Sequence, residues 1–239
     1  MLYLIGLGLN ANGISKEGLD TIKKCKKVYL ENYTVDFPYE EGAIKALFDK
    51  KFESVGRDFV ESLKIIDEAQ KKDVALLVYG SPLTATTHIT LVHEAVESGI
   101  KCRIIHAASI LDAVAETGLQ LYKFGKIASM PAWIPKKNFT PDSYMDIVKE
   151  NKSINAHSLI LIDIGLEARD ALEQLRVSAH NKDVKLNKII VGQNIGTKNS
   201  RIDYSDIENL MEMEIIKPFC IIIPGKLHFV EKEFLEYLK

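Results

Sequence analysis

Three apolar runs of this chain each end in small or polar residues. Residues 2–7 lead into Gly6-Leu7-Gly8-Leu9-Asn10-Ala11, and residues 73–79 lead into Gly80-Ser81-Pro82-Leu83-Thr84, with Thr86 and Thr87 close behind. The third run, 101–106, ends in His106-Ala107-Ala108-Ser109-Ile110. Such residues at strand ends are the raw material of a small-molecule site, because α/β sheets receive ligands at the carboxyl ends of their strands. Glycine there lets a ligand approach the backbone closely. The first turn also satisfies the dinucleotide pattern G-x-G-x-x-G/A, and Glu31 follows the next strand where an acid would hold a ribose. Against that chemistry, Asn12-Gly13 reads as a turn and Ser15 as an N-cap, so the helix starts after the glycines, whereas a pyrophosphate needs the helix N-terminus beside them. A nicotinamide site on Gly6, Gly8, Ala11 and Glu31 stands as the second reading. Ser81-Pro82 has a purely structural alternative, as N-cap and first-turn proline of the following helix.

The elements that must position these turns follow from the spacing of apolar residues. Short apolar runs predict strands over 2–7, 27–30, 73–79 and 101–106, and amphipathic stretches predict helices over 15–25, 57–72 and 86–98. In the 57–72 segment Phe59, Leu63, Ile66 and Ala69 would form one apolar stripe. This alternation gives a mainly parallel α/β half. Beyond it, strands are predicted over 125–130, 158–164, 188–193 and 219–223, and helices over 143–152, 167–180, 205–213 and 230–238. Residues 130–141 carry Pro131, Pro135 and Pro141 around Trp133, the one tryptophan, and read as a loop, either a lid that meets a substrate or a connector. The reading is two α/β domains, 1–108 and 109–239, with a ligand cleft between them.

Composition narrows the function classes. A length of 239 residues with 46% hydrophobic content buries a substantial core, and a formal charge of -2 disfavours nucleic acid or an anionic membrane as partner. No apolar run reaches the ~20 residues that span a bilayer, and the start lacks the pattern of a signal peptide. Cys25, Cys102 and Cys220 are far apart, matching neither a disulfide framework nor a zinc site, and the six histidines show no ligand spacing with carboxylates. The expectation is a soluble cytoplasmic protein without a metal.

Several stretches resemble the diphthine synthase family of the tetrapyrrole methylase-like class. They are YLIGLGL at 3–9, ENYT at 31–34, ATTH at 85–88, IHAASI at 105–110, GLQLYKFGK at 118–126, LILIDI at 159–164 and IIIPGKLHFVEKEFL at 221–235, in the family's order across nearly the whole chain. The resemblance implies S-adenosylmethionine as cofactor, folded in the cleft between the domains. It also implies a homodimer, and methylation of the amino group on the 3-amino-3-carboxypropyl side chain of a histidine in translation elongation factor 2, a step of diphthamide biosynthesis. Position by position, it places the cofactor against Leu9, Ser81, Thr84, Ser109, Ile110, Ile162, Ile195 and His228. Where Ser81 stands the family usually has an acidic residue, so a counter-charge for the cofactor is missing.

Methyl transfer from a sulfonium to an amine is an in-line displacement that chiefly needs alignment and exclusion of water. The amine must be neutral, and a dedicated base is optional where burial and a nearby positive charge favour that form. No residue is assigned as catalytic; His88, His228 and Tyr33 are candidates for accepting a proton, each with a structural alternative. Three function classes stand: the methyltransferase, a nicotinamide-dependent oxidoreductase, and a non-catalytic binder of the elongation factor.

Overall fold

The computed structural model describes residues 1–48 and 50–238. The chain divides into two compact units, Met1–Ala113 and Val114–Lys239. In the first, β1 (Leu2–Gly6), α1 (Lys16–Lys24), β2 (Lys27–Glu31), α2 (Glu41–Lys45), β3 (Glu53–Val55), α3 (Arg57–Glu61), α4 (Lys64–Ala69), β4 (Val74–Val78), α5 (Ile89–Glu97), β5 (Cys102–Ile105) and α6 (Ile110–Ala113) follow in order. The five strands form one sheet, β3-β2-β4-β1-β5, and every pairing is parallel. All five carboxyl ends therefore lie on the same side. Alternation along the strands divides the core. Leu2, Leu4, Val74, Leu76 and Val78 pack on one face with α4 and α5, while Ile5, Val28, Leu30, Ala75 and Leu77 pack on the other with Ile22 of α1 and Ile44 of α2. Every residue of β4 is fully buried, as a central parallel strand covered on both faces requires.

The expected 57–72 helix is broken. Leu63 adopts a left-handed conformation, φ 60°, and separates α3 from α4. The break resets the helical phase, so Val60, Ile65, Ile66 and Ala69 are buried, and Phe59 and Leu63 pack only partly against the core. Two short elements, α2 and β3, carry no periodic signal; β3 exists by pairing with β2 over three residues.

The second unit contains β6 (Ala128–Met130), α7 (Ser143–Ser153), β7 (Ser158–Ile162), α8 (Ala168–Asn181), β8 (Ile189–Gln193), β9 (Arg201–Ser205), α9 (Ile207–Met211), β10 (Phe219–Ile223) and α10 (Phe229–Tyr237). Its sheet, β6-β7-β10-β8-β9, is mixed: β6 and β7 are parallel and the other pairs antiparallel. One core joins Met130, Ile160, Val191, Phe219 and Ile221 to Tyr144, Met145 and Val148 of α7, Leu172 and Leu175 of α8, and Leu210 of α9. The predicted strand over 125–130 starts only at Ala128, because Gly125 is occupied otherwise: its amide bonds the His157 carbonyl at 2.9 Å, and a Cβ there would meet Asn151 Oδ1 at 2.2 Å. The edge strand β9 is an addition to the expected set. Among the described residues no helix is long and apolar enough to cross a membrane.

Candidate functional site

In the first unit the glycine turns meet each other. The Gly8 amide bonds the Gly80 carbonyl at 3.1 Å and the Gly80 amide bonds the Gly8 carbonyl at 3.0 Å. These two amides are thus spent within the protein and are not left bare for a ligand. Gly8 (φ +72°) is required by the loop itself, since a Cβ would sit 2.8 Å from the Gly13 carbonyl oxygen. Gly80 (φ +68°) is different: the nearest atoms to a Cβ would be Ala108 O at 3.8 Å and Ser109 Cα at 4.0 Å, which leaves room between the second and third turns. Helix α1 starts at Lys16, with the Ser15 hydroxyl accepting the Gly18 amide at 3.1 Å. The helix N-terminus is accordingly displaced from the glycines, and Glu31 is fully buried, out of reach of a ribose. Both features disfavour the nicotinamide reading.

Leu9, Ser81 and Ser109 lie on the turns after β1, β4 and β5, three neighbouring strands. The Leu9 carbonyl accepts the Tyr79 hydroxyl at 3.0 Å. Ser81 is buried, and its hydroxyl lies 3.2 Å from His106 Nδ1. It is not the cap of the following helix. Ala85 turns left-handed at φ 54°, and α5 begins only at Ile89, with His88 at the N-cap. Thr84 is held by its amide to the Ser81 carbonyl at 3.0 Å. Ser109 caps α6: its amide and hydroxyl both donate to Asp112 Oδ1, at 2.7 and 2.6 Å, and half-buried Ile110 follows. The structure brings these five residues to one end of one sheet.

At that same end, Tyr33 and His88 engage each other. Only a donor can serve the Pro82 carbonyl, 3.2 Å from His88 Nδ1, so Nε2 is the acceptor for the Tyr33 hydroxyl at 3.3 Å. Burial lowers the His88 pKa, with the Pro82 bond opposing, and burial raises Tyr33 to about 12 with Glu31 adding to it. Neither is a free base. Glu31 accepts the Thr34 hydroxyl on Oε1 at 2.5 Å, and its Oε2 is buried without a partner. Burial pushes this carboxyl up to about 7, against the pull of that hydroxyl and of the amides of Tyr33, Tyr79 and Thr34.

In the second unit Ile162 ends β7 and Ile195 follows β8. Because β7 and β8 both run antiparallel to β10, the two residues lie at the same end of the sheet. Ile195 is buried over Gly192, where a Cβ would meet its Cδ1 at 2.3 Å. Beside it, Asn194 is in the left-handed region (φ 48°), and its Oδ1 is buried without a partner, an acceptor that fits the amino group of a purine ligand. His228 is at the opposite end, since Ile223 of β10 pairs with Ser158 at the start of β7. It is exposed and caps α10: Nδ1 accepts the Val230 amide at 3.4 Å, and Glu231 accepts the His228 amide at 2.6 Å. So this unit brings two of its three expected residues together.

Glu231, which sequence reasoning missed, is fully buried. Its oxygens receive Lys123 Nζ, the amides of Gln120 (3.0 Å) and His228 (2.6 Å), and His157 Nε2 (3.1 Å). His157 Nδ1 accepts the Gly225 amide at 2.9 Å, so the ring is a neutral Nε2–H tautomer. Burial alone would raise Glu231, but its four donors hold it down to about 2. Trp133 is half-buried, with its amide given to Gln174 and its Nε1–H to the Pro141 carbonyl at 2.9 Å, which ties the proline loop to its own unit. One carboxylate–histidine group escaped the spacing argument: His93, Glu94 and Glu97 bring possible ligand atoms within 4.8 Å of one another on the outer face of α5.

Comparison with known proteins places these features in context. Residues 1–210 match the model of the Tetrapyrrole (Corrin/Porphyrin) Methylases. The diphthine synthase of Methanocaldococcus jannaschii is 38% identical over 255 aligned positions, covering 100% of this chain and 98% of that protein. The diphthine methyl ester synthase of Schizosaccharomyces pombe is 44% identical over 167 positions, covering 69% of this chain and 58% of that protein. A crystal structure of a diphthine synthase superposes with a TM-score of 0.89 at 31% identity, covering 99% of this chain and 95% of that one.

Proposed function

The chain belongs to the tetrapyrrole (corrin/porphyrin) methylase family and, within it, to the diphthine synthases; from that premise we propose that it methylates an amine with S-adenosylmethionine. It is a methyltransferase of diphthamide biosynthesis. Its substrate is the amino group of the 3-amino-3-carboxypropyl-histidine of translation elongation factor 2, and it works as a cytoplasmic homodimer. The observation that carries this reading is the match to diphthine synthases over the whole chain.

Local geometry supports it. In the first unit the open space at Gly80 beside the Ser81 hydroxyl leaves room for a ligand that offers polar hydrogens; in the second, the orphaned Asn194 oxygen is an acceptor for one. In the first unit Leu9, Ser81, Thr84, Ser109 and Ile110 would hold the cofactor; in the second, Ile162 and Ile195 are the candidates, while His228 lies at the opposite end of that sheet from them. When bound, S-adenosylmethionine supplies an electrophilic methyl group on a sulfonium. The protein then has to orient the acceptor nitrogen in line with that methyl, to exclude water and to keep the amine unprotonated. Orientation is served by rigid turns, because the Gly8–Gly80 bridge and the Ser109–Asp112 bonds fix the backbone from which Leu9, Ser81 and Ile110 project.

Calorimetry with S-adenosylhomocysteine and with a nicotinamide dinucleotide tests the cofactor assignment. Binding of the first and not the second is expected; the reverse would return the protein to oxidoreductase chemistry.

A further inference from the structure

Glu31 and Glu231 are both wholly buried, yet the fold treats them in opposite ways. Glu231 is saturated by four donors, one of them a lysine. Glu31 has a single side-chain donor, on Oε1, besides the pull of the Tyr33, Tyr79 and Thr34 amides; its Oε2 has no partner, and among the described residues no lysine, arginine or histidine pairs with it. A buried carboxylate that no cation balances is costly, so folds tolerate it chiefly where the group is used. Its place is informative. Glu31 closes β2 on the side of the parallel sheet that also carries Gly8, Gly80, Ser81 and Ser109. Its side-chain donor, Thr34, is half-buried, so the hydroxyl that meets the buried carboxylate belongs to a residue that solvent reaches. The Thr34 hydrogen is committed to the carboxylate, so the lone pairs of Oγ1 remain to accept from an incoming N–H. Nearby, the Tyr39 hydroxyl is also buried without a partner, a second acceptor in the segment that follows β2.

We propose that Thr34 and Glu31 form a proton path, in which the Thr34 hydroxyl accepts a hydrogen bond from the substrate ammonium and Glu31 receives the proton, leaving the neutral amine that methyl transfer requires. The inference rests on the amine substrate proposed above. An N–H bond of the ammonium breaks and nitrogen keeps the electron pair. The proton passes to Thr34 Oγ1 as the hydroxyl hydrogen moves to Glu31 Oε1, so ammonium plus carboxylate become amine plus carboxylic acid. Glu31 then returns its proton to solvent before the next turnover.

A carboxyl raised to about 7 is an acceptor of suitable strength, ionised in about half the molecules at neutral pH. The groups around it do not compete in that range. Burial raises Tyr33 to about 12 and pushes Tyr39 and Tyr79 higher still, while it lowers His88 below its ordinary value. Arg57, at 5.5 Å from the Tyr33 ring, and Glu61 act on Tyr33 and not directly on Glu31.

The test is the pH dependence of kcat/KM for methyl transfer to the modified elongation factor, in the wild type and in Glu31→Gln, Thr34→Val and Thr34→Ser. In the wild type the rate should fall as pH drops through about 7. Glu31→Gln should lose that limb and slow kcat by ~100-fold or more, the usual scale of proton-transfer catalysis, with calorimetric affinity for S-adenosylhomocysteine unchanged. Thr34→Val should behave alike, Thr34→Ser should restore the rate, and the Glu31→Gln/Thr34→Val pair should be no worse than either alone. Independently of activity, infrared difference spectra should show a carboxyl band titrating near 7 that Glu31→Gln removes. A wild-type limb retained in Glu31→Gln, full activity in Thr34→Val, or no such band would overturn the proton path. A wild-type chain inactive on the elongation factor would instead remove the substrate, and this inference with it.

Discussion

Glu231→Gln is expected to destabilise the second unit by about 3 kcal/mol at pH 7 and to do so in a pH-dependent way. The four donors of Glu231 are shared two to each oxygen: Gln120 amide and His157 Nε2 on Oε1, Lys123 and the His228 amide on Oε2. A glutamine supplies one oxygen, and its amide group must face the other two donors. The magnitude follows from linkage. A folded pKa of about 2 against an unfolded value of ~4.3 is roughly 2.3 units, each ~1.36 kcal/mol, which gives about 3 kcal/mol. That agrees with the ~3–5 kcal/mol lost when one partner of a buried ion pair is removed. The folded pKa is depressed, so this stability is fully present above ~4.3 and is lost as pH falls toward about 2. Trp133, the one tryptophan, lies in the second unit and reports its urea unfolding by fluorescence. The midpoint gap between wild type and variant should be wide at pH 7 and should close as pH falls toward about 2. A gap of the same size at both ends of that range, or none at pH 7, would refute the charge-network reasoning.

Gly8→Ala should lower the melting temperature of the first unit, by a destabilisation of roughly 1–3 kcal/mol, because the added Cβ meets the Gly13 backbone in a left-handed conformation; an unchanged melting temperature would show the loop to be pliant. Ser81→Asp places a carboxylate at the site proposed for the cofactor, and should tighten S-adenosylmethionine over S-adenosylhomocysteine by ~1 kcal/mol or less, owing to solvent screening. Calorimetry with both ligands checks this, and equal changes for the two would deny a role to charge.

Periodic elements were legible and long-range partnerships were not. The short apolar runs of β1 and β4 and the glycines that follow them announce a parallel sheet with its site at the strand ends. The late start of α1 was readable from Ser15. Nothing local betrays the left-handed Leu63 that splits the 57–72 helix, nor the left-handed Ala85 that removes Ser81 from its expected cap position. Glu31 follows Val28, Tyr29 and Leu30, and a lone acid at the end of an apolar run signals a ligand contact as readily as a buried carboxylate. The burial of Glu231 could not be foreseen, because its partner His157 is 74 residues away and Lys123 is 108. The mutual bonding of Gly8 and Gly80 is likewise a product of adjacency in the sheet, and it spends on the scaffold the two amides that the sequence left bare for a ligand.

Methylation of one amine on one protein is tested most directly by combining the chain, methyl-labelled S-adenosylmethionine, and elongation factor 2 either carrying or lacking the 3-amino-3-carboxypropyl group, followed by mass analysis of the histidine-containing peptide. Methyl incorporation is expected on the side-chain nitrogen of the modified factor, with an equal amount of S-adenosylhomocysteine released and no label on the unmodified factor. Label on both forms, or on neither while the protein still binds the cofactor, would contradict the proposed activity.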